Sequence, residues 1–268
     1  DEAVVAKLFS ALAERYKDEP ALFSYNLAVE FYMPGGNWGA QHQGGDKYKH
    51  DLADRWGLPA WPKYLAGSYA DVAAINAKWG TTHASIDEIP QPEVAFENGR
   101  YTMPQAMIAD YNGFKEYVTY AFFKNQVDAI RAVDKRHMIT AGYHPHHPAI
   151  GWTGSALYLA GTAPAELDLF DYTTMHQYTN NLDYSPGVDP RAFYAGVVYT
   201  RFAYAGKPVI VEEMGHIVRD RGETTRESIR LVETLMPHAS GFMLWFLSDL
   251  GPDAPYGPLN TDPTVNAF

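Results

Sequence analysis

Short apolar runs that each close on or beside a polar side chain recur along this chain, and no other feature limits its fold so strongly. Residues 21–30 end on Glu30, 137–142 lead into His144, 169–178 carry His176 near their end, 208–213 end on Glu213, and 241–248 lead into Asp249. Each run has the length of a buried strand, and segments of helical periodicity lie between them. Val5, Leu8, Phe9, Leu12 and Tyr16 predict a helix over 4–16, broken by Asp18-Glu19-Pro20. Further helices are predicted over about 106–133, over 190–205 with Asp189 as N-cap and Gly206 as stop, and over 225–235. Alternating strands and helices imply an α/β fold, a parallel sheet with helices packed outside it. Residues 46–100 read as an insertion of short helical pieces, 69–79 among them, with Pro-rich joints.

Charge and composition exclude several classes of function. The chain has 21 Lys and Arg against 32 Asp and Glu, a formal charge of −11 without basic runs, which argues against nucleic acid and anionic membrane surfaces as partners. No apolar run reaches transmembrane length. The N-terminus opens on Asp1 and Glu2, unlike the basic-then-apolar form of a signal peptide. Cysteine is absent, which removes disulfide and thiolate chemistry and leaves the compartment undecided. The 19 Tyr, 6 Trp and 10 His suit a surface that stacks flat, neutral, hydroxyl-rich ligands, although large barrels bury many aromatics in any case.

In a barrel, side chains at the C-terminal ends of the strands line one mouth. Two glutamates, Glu30 and Glu213, lie at such ends and far apart in sequence. Glycosidic hydrolysis needs such a pair: one carboxylic acid to protonate the leaving oxygen, and one carboxylate to attack the anomeric carbon or activate water. His176 and Tyr178 stand at i and i+2 on one strand face, within reach of the nucleophile or of a sugar hydroxyl. Trp245 can floor the pocket under an apolar sugar face, and Trp38 and Trp152 are loop candidates for stacking. Glu212 competes with Glu213. Neighbours on a regular strand point to opposite faces, so only one of them can look into the mouth, and the other is expected to pack outward or near the rim. His144-Pro145-His146-His147 could suggest a metal hydrolase, but its spacing matches no His-Glu-x-x-His type motif, so a cleft-lining loop with His144 touching sugar is preferred and no metal is expected.

Several of these runs resemble the clan A glycoside hydrolases. Ala21-Leu22-Phe23-Ser24-Tyr25-Asn26-Leu27-Ala28-Val29-Glu30 is similar to their fourth strand, especially in family 5, which usually ends in Asn-Glu-Pro. Lys207-Pro208-Val209-Ile210-Val211-Glu212-Glu213-Met214-Gly215 resembles the seventh strand, His176-Gln177-Tyr178 the His-x-Tyr of the sixth, and Gly241-Phe242-Met243-Leu244-Trp245 the eighth. Residues 64–92, with Ile75-Asn76-Ala77-Lys78-Trp79-Gly80-Thr81, resemble the insertion of family 42 β-galactosidases.

The resemblance implies a (β/α)8 barrel of which this chain holds the portion from strand four to strand eight, as a single catalytic domain over 1–268 with the insertion following strand four. The remaining strands are expected from an N-terminal segment or another chain. The resemblance assigns Glu30 as acid/base and Glu213 as nucleophile in a retaining mechanism acting on an oligo- or polysaccharide, without a cofactor. Retaining enzymes hold the two carboxyl groups roughly 5–5.5 Å apart. Glu30 must then keep its proton near neutral pH, which burial or the charge of Glu213 favours. The pattern departs from the family at Val29, where the family has an Asn that binds the sugar 2-hydroxyl; Asn26 shares the strand face of Glu30. That departure keeps open a protein that binds glycan without hydrolysing it. Mannan, glucan and galactoside remain alternative substrates, because loops build the subsites.

Overall fold

Glu2–Tyr16 forms α1, with Glu2 in its first turn and Arg15 in its last, each matched to the helix dipole. The computed structural model describes residues 2–28, 60–90, 96–97, 100–101, 105–142, 168–180, 194, 197–198, 200–201, 205–216 and 221–244. Among these, α1 buries a narrower face than its periodicity predicts. Ala13 is buried, and Val5 and Phe9 are half-buried on the same side. Val4 and Leu8 are 63% and 56% exposed, and Leu12 and Tyr16 are exposed as well. The burial therefore follows Val5, Phe9 and Ala13 at spacing four, and the Leu8–Leu12–Tyr16 flank is exposed.

The chain divides into two compact units: Asp1–Phe31, Gln126–Trp152 and Glu166–Phe268 in one, Tyr32–Asn125 and Thr153–Ala165 in the other. The first unit is built on parallel strands. β1 (Ser24–Asn26) pairs with β4 (Met138–Thr140) in register Ser24↔Met138, Tyr25↔Ile139, Asn26↔Thr140. The pairing runs on through Leu27 N–H to Thr140 C=O at 2.9 Å and Gly142 N–H to Ala28 C=O at 2.7 Å. β5 (Thr173–Asn180), β6 (Val209–His216) and β7 (Gly241–Leu244) form a second parallel ladder in that order. Between β4 and β5 the bonds are fewer: Asp171 N–H reaches Ile139 C=O at 2.9 Å, and the Thr140 and Thr174 hydroxyls donate to the carbonyls of Tyr172 and Ala141. The spatial sequence β1-β4-β5-β6-β7 is thus all parallel, and no closed barrel exists among the described residues.

One face of this sheet packs against α5 (Arg221–Leu235) through Met175, Val209, Val211, Met214, Leu231 and Leu235, joined by the helical residue Val197. Burial on both faces explains why β6 reads as an unbroken Val209-Ile210-Val211 run. Of the helix expected over 190–205, the described residues 194, 197–198 and 200–201 are helical, and 205–206 form a turn. Gly206 has φ +81° and its N–H bonds the Arg201 carbonyl at 2.7 Å, while Ala205 just before it also sits at positive φ, 52°.

A buried polar cluster anchors β1 to the turn before β4. The Tyr25 hydroxyl donates to Asp134 at 2.9 Å, the His137 ring contacts the same carboxylate at 2.6 Å, and the Arg136 and His137 backbone N–H groups reach it at 2.8 and 3.1 Å. Burial by itself would raise the Asp134 pKa, but these bonds outweigh it and hold the carboxyl well below the usual range. The Tyr25 phenol is pushed up to about 12, chiefly by burial and then by its bond to Asp134.

The second unit has an aromatic core. α2 (Ala60–Ser68) and α3 (Val72–Trp79) are short helical pieces of the kind expected in this stretch; α3 starts later than the 69 expected, because Asp71 caps it by accepting the Ala74 N–H at 2.9 Å. Gly80, at φ +69°, ends it. Trp61, Leu65, Ile75, Trp79, Tyr111 and Phe114 form the core, with Trp61 and Trp79 stacked at 6.1 Å. Asp110, from α4 (Gln105–Arg131), accepts hydrogen bonds from Tyr69, Trp79 and Lys78 and pins α3 to α4. A short hairpin, β2 (Phe96–Glu97) with β3 (Arg100–Tyr101), completes the described part. Residues 60–90 of the expected insertion all belong to this unit.

Candidate active site

The site begins with an irregularity in β6. Val209 and Val211 pack toward α5, as a period of two requires, but the next residue on that side is Met214. One residue too many lies between Val211 and Met214. The register shows it on both edges: Met175 pairs with Val211 while His176 pairs with Glu213, and toward β7 the pairing jumps from Val211↔Phe242 to Met214↔Leu244. This is a β-bulge, and it turns two consecutive glutamates toward the same partner. Glu212 Oε1 lies 3.0 Å from His176 Nε2, and Glu213 Oε2 lies 3.4 Å from His176 Nδ1. The imidazole between them is wholly buried, and the two carboxylates are nearly so.

Glu212 is held on several sides. Its Oε1 accepts from the Thr174 hydroxyl at 2.8 Å as well as meeting His176, and its Oε2 accepts from the Asn26 amide at 2.8 Å. Asn26 is in turn oriented by its own oxygen, which accepts from Gly142 N–H at 3.1 Å and Ala28 N–H at 3.4 Å. Side chains of β1 and β5 therefore converge on one carboxylate of β6. Gly142 makes the convergence possible: a Cβ there would overlap Glu212 Oε1 and stand 2.8 Å from the Ala28 carbonyl oxygen. Beside this cluster the Tyr172 and Ser24 hydroxyls share a 2.6 Å bond. The Tyr172 pKa is raised, first by burial and also by the negative charge of Glu212.

Of the residues singled out from sequence, the structure brings Asn26, His176 and Glu213 together around Glu212; Asn26 ends β1, but His176 and Glu213 lie within β5 and β6, and β6 runs on to His216 instead of ending at Glu213 as expected. Tyr178 lies in β5 and pairs with Gly215; its side chain is outside the description. Glu30, Trp38, His144, Trp152 and Trp245 lie outside the described residues, as do Val29 and Asp249. The expectation that Glu212 packs outward or at the rim is overturned, since its carboxylate binds Asn26, Thr174 and His176. Strict alternation fails because the bulge adds a residue. A signal for it was present in the sequence: the apolar positions Val209, Val211 and Met214 break the period of two where the second glutamate enters. Thr174, a buried donor among strand residues, carried no such signal.

Chemically, the arrangement presents an acid, Glu213, oriented by an imidazole that a second carboxylate backs. Such a carboxylate can attack an electrophilic carbon or take a proton. Among the described residues no group of three or more His, Asp or Glu side chains is disposed to hold a metal ion, and no helix is long and apolar enough to cross a membrane.

Comparison with known proteins adds a family. Residues 2–214 match the model of glycoside hydrolase family 42, described as β-galactosidase. No curated protein matches the chain. Among solved structures, a catalytic mutant of Gan42B, a GH42 β-galactosidase from G. stearothermophilus, is similar with TM-score 0.68 and 16% identity, over 97% of this chain and 37% of that one. The β-galactosidase from the psychrophilic Marinomonas ef1 gives TM-score 0.67 and 18% identity, over 97% and 40%. An exo-β-agarase gives TM-score 0.65 and 14% identity, over 97% and 35%. The chain thus spans about two fifths or less of the length of these structures.

Proposed function

Because the chain belongs to glycoside hydrolase family 42, we propose that it hydrolyses a β-glycosidic bond with retention, Glu213 attacking as nucleophile and Glu30 serving as acid and then as base. The observation that carries this reading is the setting of Glu213 against the buried His176 on adjacent parallel strands. In the first step the Glu213 carboxylate bonds to the anomeric carbon while the glycosidic C–O bond breaks and Glu30 protonates the departing oxygen. In the second, water attacks that carbon, Glu30 takes the water's proton, and Glu213 leaves as the anion. Asn26, Tyr178, His144 and the tryptophans Trp38, Trp152 and Trp245 are proposed to contact the sugar. The names of the similar structures favour a β-galactoside as first substrate to try. On this reading β1, β4, β5, β6 and β7 correspond to strands four to eight of a (β/α)8 barrel whose other strands come from another segment or chain.

The test is hydrolysis of aryl β-galactosides by the full chain and by Glu213→Gln and Glu30→Gln, with the first-formed anomer followed by NMR. Turnover that yields the β-anomer and falls to background in Glu213→Gln is expected. Val29, in place of the family's Asn, favours a second reading in which the site binds glycan without cleaving it. Equal, near-background rates in parent and Glu213→Gln, together with measurable galactoside binding, would establish that second reading.

A further inference from the structure

The double displacement uses one carboxylate on β6, yet the bulge delivers two to the same ring. We propose that Glu212 is a positioning residue, which grips His176 from one side so that the other side holds the nucleophile Glu213 through both chemical steps; this rests on the hydrolase reading.

The argument is one of proton count and geometry. A neutral imidazole has a single N–H and could serve only one of the two acids, leaving the other against a ring lone pair. With Glu212 at 3.0 Å from Nε2 and Glu213 at 3.4 Å from Nδ1, the buried ring is best matched when it carries both protons. Glu212 and Glu213 on β6 face it from either side, and Tyr172, ahead of β5, lies near enough to Glu212 for that charge to raise its pKa; β1 contributes the neutral Asn26 and the segment after β4 the neutral Gly142. Glu212 is itself fixed by Thr174 and Asn26, so its grip does not depend on Glu213. The consequence appears when Glu213 becomes an ester. Its charge disappears, while Glu212, still at Nε2, continues to hold the ring until water releases the sugar.

The experiment uses the full chain labelled with ¹⁵N-histidine. The His176 signal is identified by its loss in His176→Gln, and its titration is followed beside kinetics on 4-nitrophenyl β-galactoside. Glu212→Gln is expected to lower kcat by about tenfold with KM changed less than about twofold, the signature of lost transition-state rather than uniform binding. The basic limb of the kcat profile and the His176 titration midpoint should both move to lower pH, by about one unit. Glu212→Asp keeps the charge but withdraws it from the ring, and should fall between; it carries the same readouts if Glu212→Gln does not fold. An unchanged kcat with an unmoved His176 titration overturns the proposal. If the parent itself turns over no aryl glycoside, the hydrolase reading fails. The His176 titration then decides alone whether Glu212 holds the ring, an unmoved midpoint overturning that too.

Discussion

Replacing Gly142 by Ala separates two opposed effects of known size. On backbone grounds the change should help, because alanine restricts the unfolded chain and Gly142 is not among the glycines at positive φ; the gain is about 0.4–1 kcal/mol. The added methyl, however, overlaps Glu212 Oε1 and lies 2.8 Å from the Ala28 carbonyl oxygen, which is backbone and already accepts the Gly142 N–H. Glu212 must withdraw, and the oxygen displaced is the one that meets both Thr174 and His176. Hydrogen bonds to a charged group contribute about 1.5–3 kcal/mol each. With both bonds taken at the low end, and the crowding against Ala28 set against the backbone gain, the net loss is about 3 kcal/mol. For a chain of this size that lowers Tm by about 6–12 °C. Urea melts of Gly142→Ala, alone and combined with Glu212→Ala, check the reasoning through a double-mutant cycle. With the carboxylate gone, the methyl should cost about 1 kcal/mol or less. An equal cost in both backgrounds, or a stabilised single variant, would refute the account.

Asp134, held below the ordinary carboxylate range, contributes stability that is present above its unfolded pKa of about 4 and lost as pH falls further; Asp134→Asn should flatten the acid limb of a urea-midpoint profile. Tyr25 acts at the other end. Its phenol is pushed up to about 12, so its contribution is full below the unfolded value of about 10 and disappears as pH rises through about 12. Tyr25→Phe should remove that alkaline dependence and cost about 1.5–3 kcal/mol at neutral pH in a chemical melt, since the lost bond is to a charged acceptor. Ala205 sits at φ 52°, where an L side chain is strained and glycine is not; Ala205→Gly should gain about 0.5–1 kcal/mol, read as a higher Tm.

Local pattern was a good guide wherever one segment's own residues decide the outcome. The 27-residue α4 followed the period read over 106–133, and the apolar runs at β4 and β6 became buried parallel strands. The pattern misled where a partner decides. Leu8 and Leu12 of α1 have helical spacing, but which flank is covered depends on what lies against it. The inward turn of Glu212 depends on the pairing of β6 with both neighbours, and nothing in a single strand's composition states its register. The Tyr25–Asp134–His137 cluster was equally hidden, since Tyr25 lies 109 residues before Asp134 and they meet only after β1 pairs with β4. At the site, Asn26, His176 and Glu213 were legible as polar residues that interrupt apolar strand runs, although β6 continues past Glu213; the clamp around Glu212 was not legible.

The extra residue in β6 has a consequence for how this strand could vary. Deleting either glutamate would leave Val209, Ile210, Val211, one acid and Met214 in regular succession, with every methyl group toward α5 still in its place. A single codon therefore separates a one-acid strand from a two-acid strand on an unchanged hydrophobic footing. The polar face can gain or shed a charge without the helix behind it having to repack.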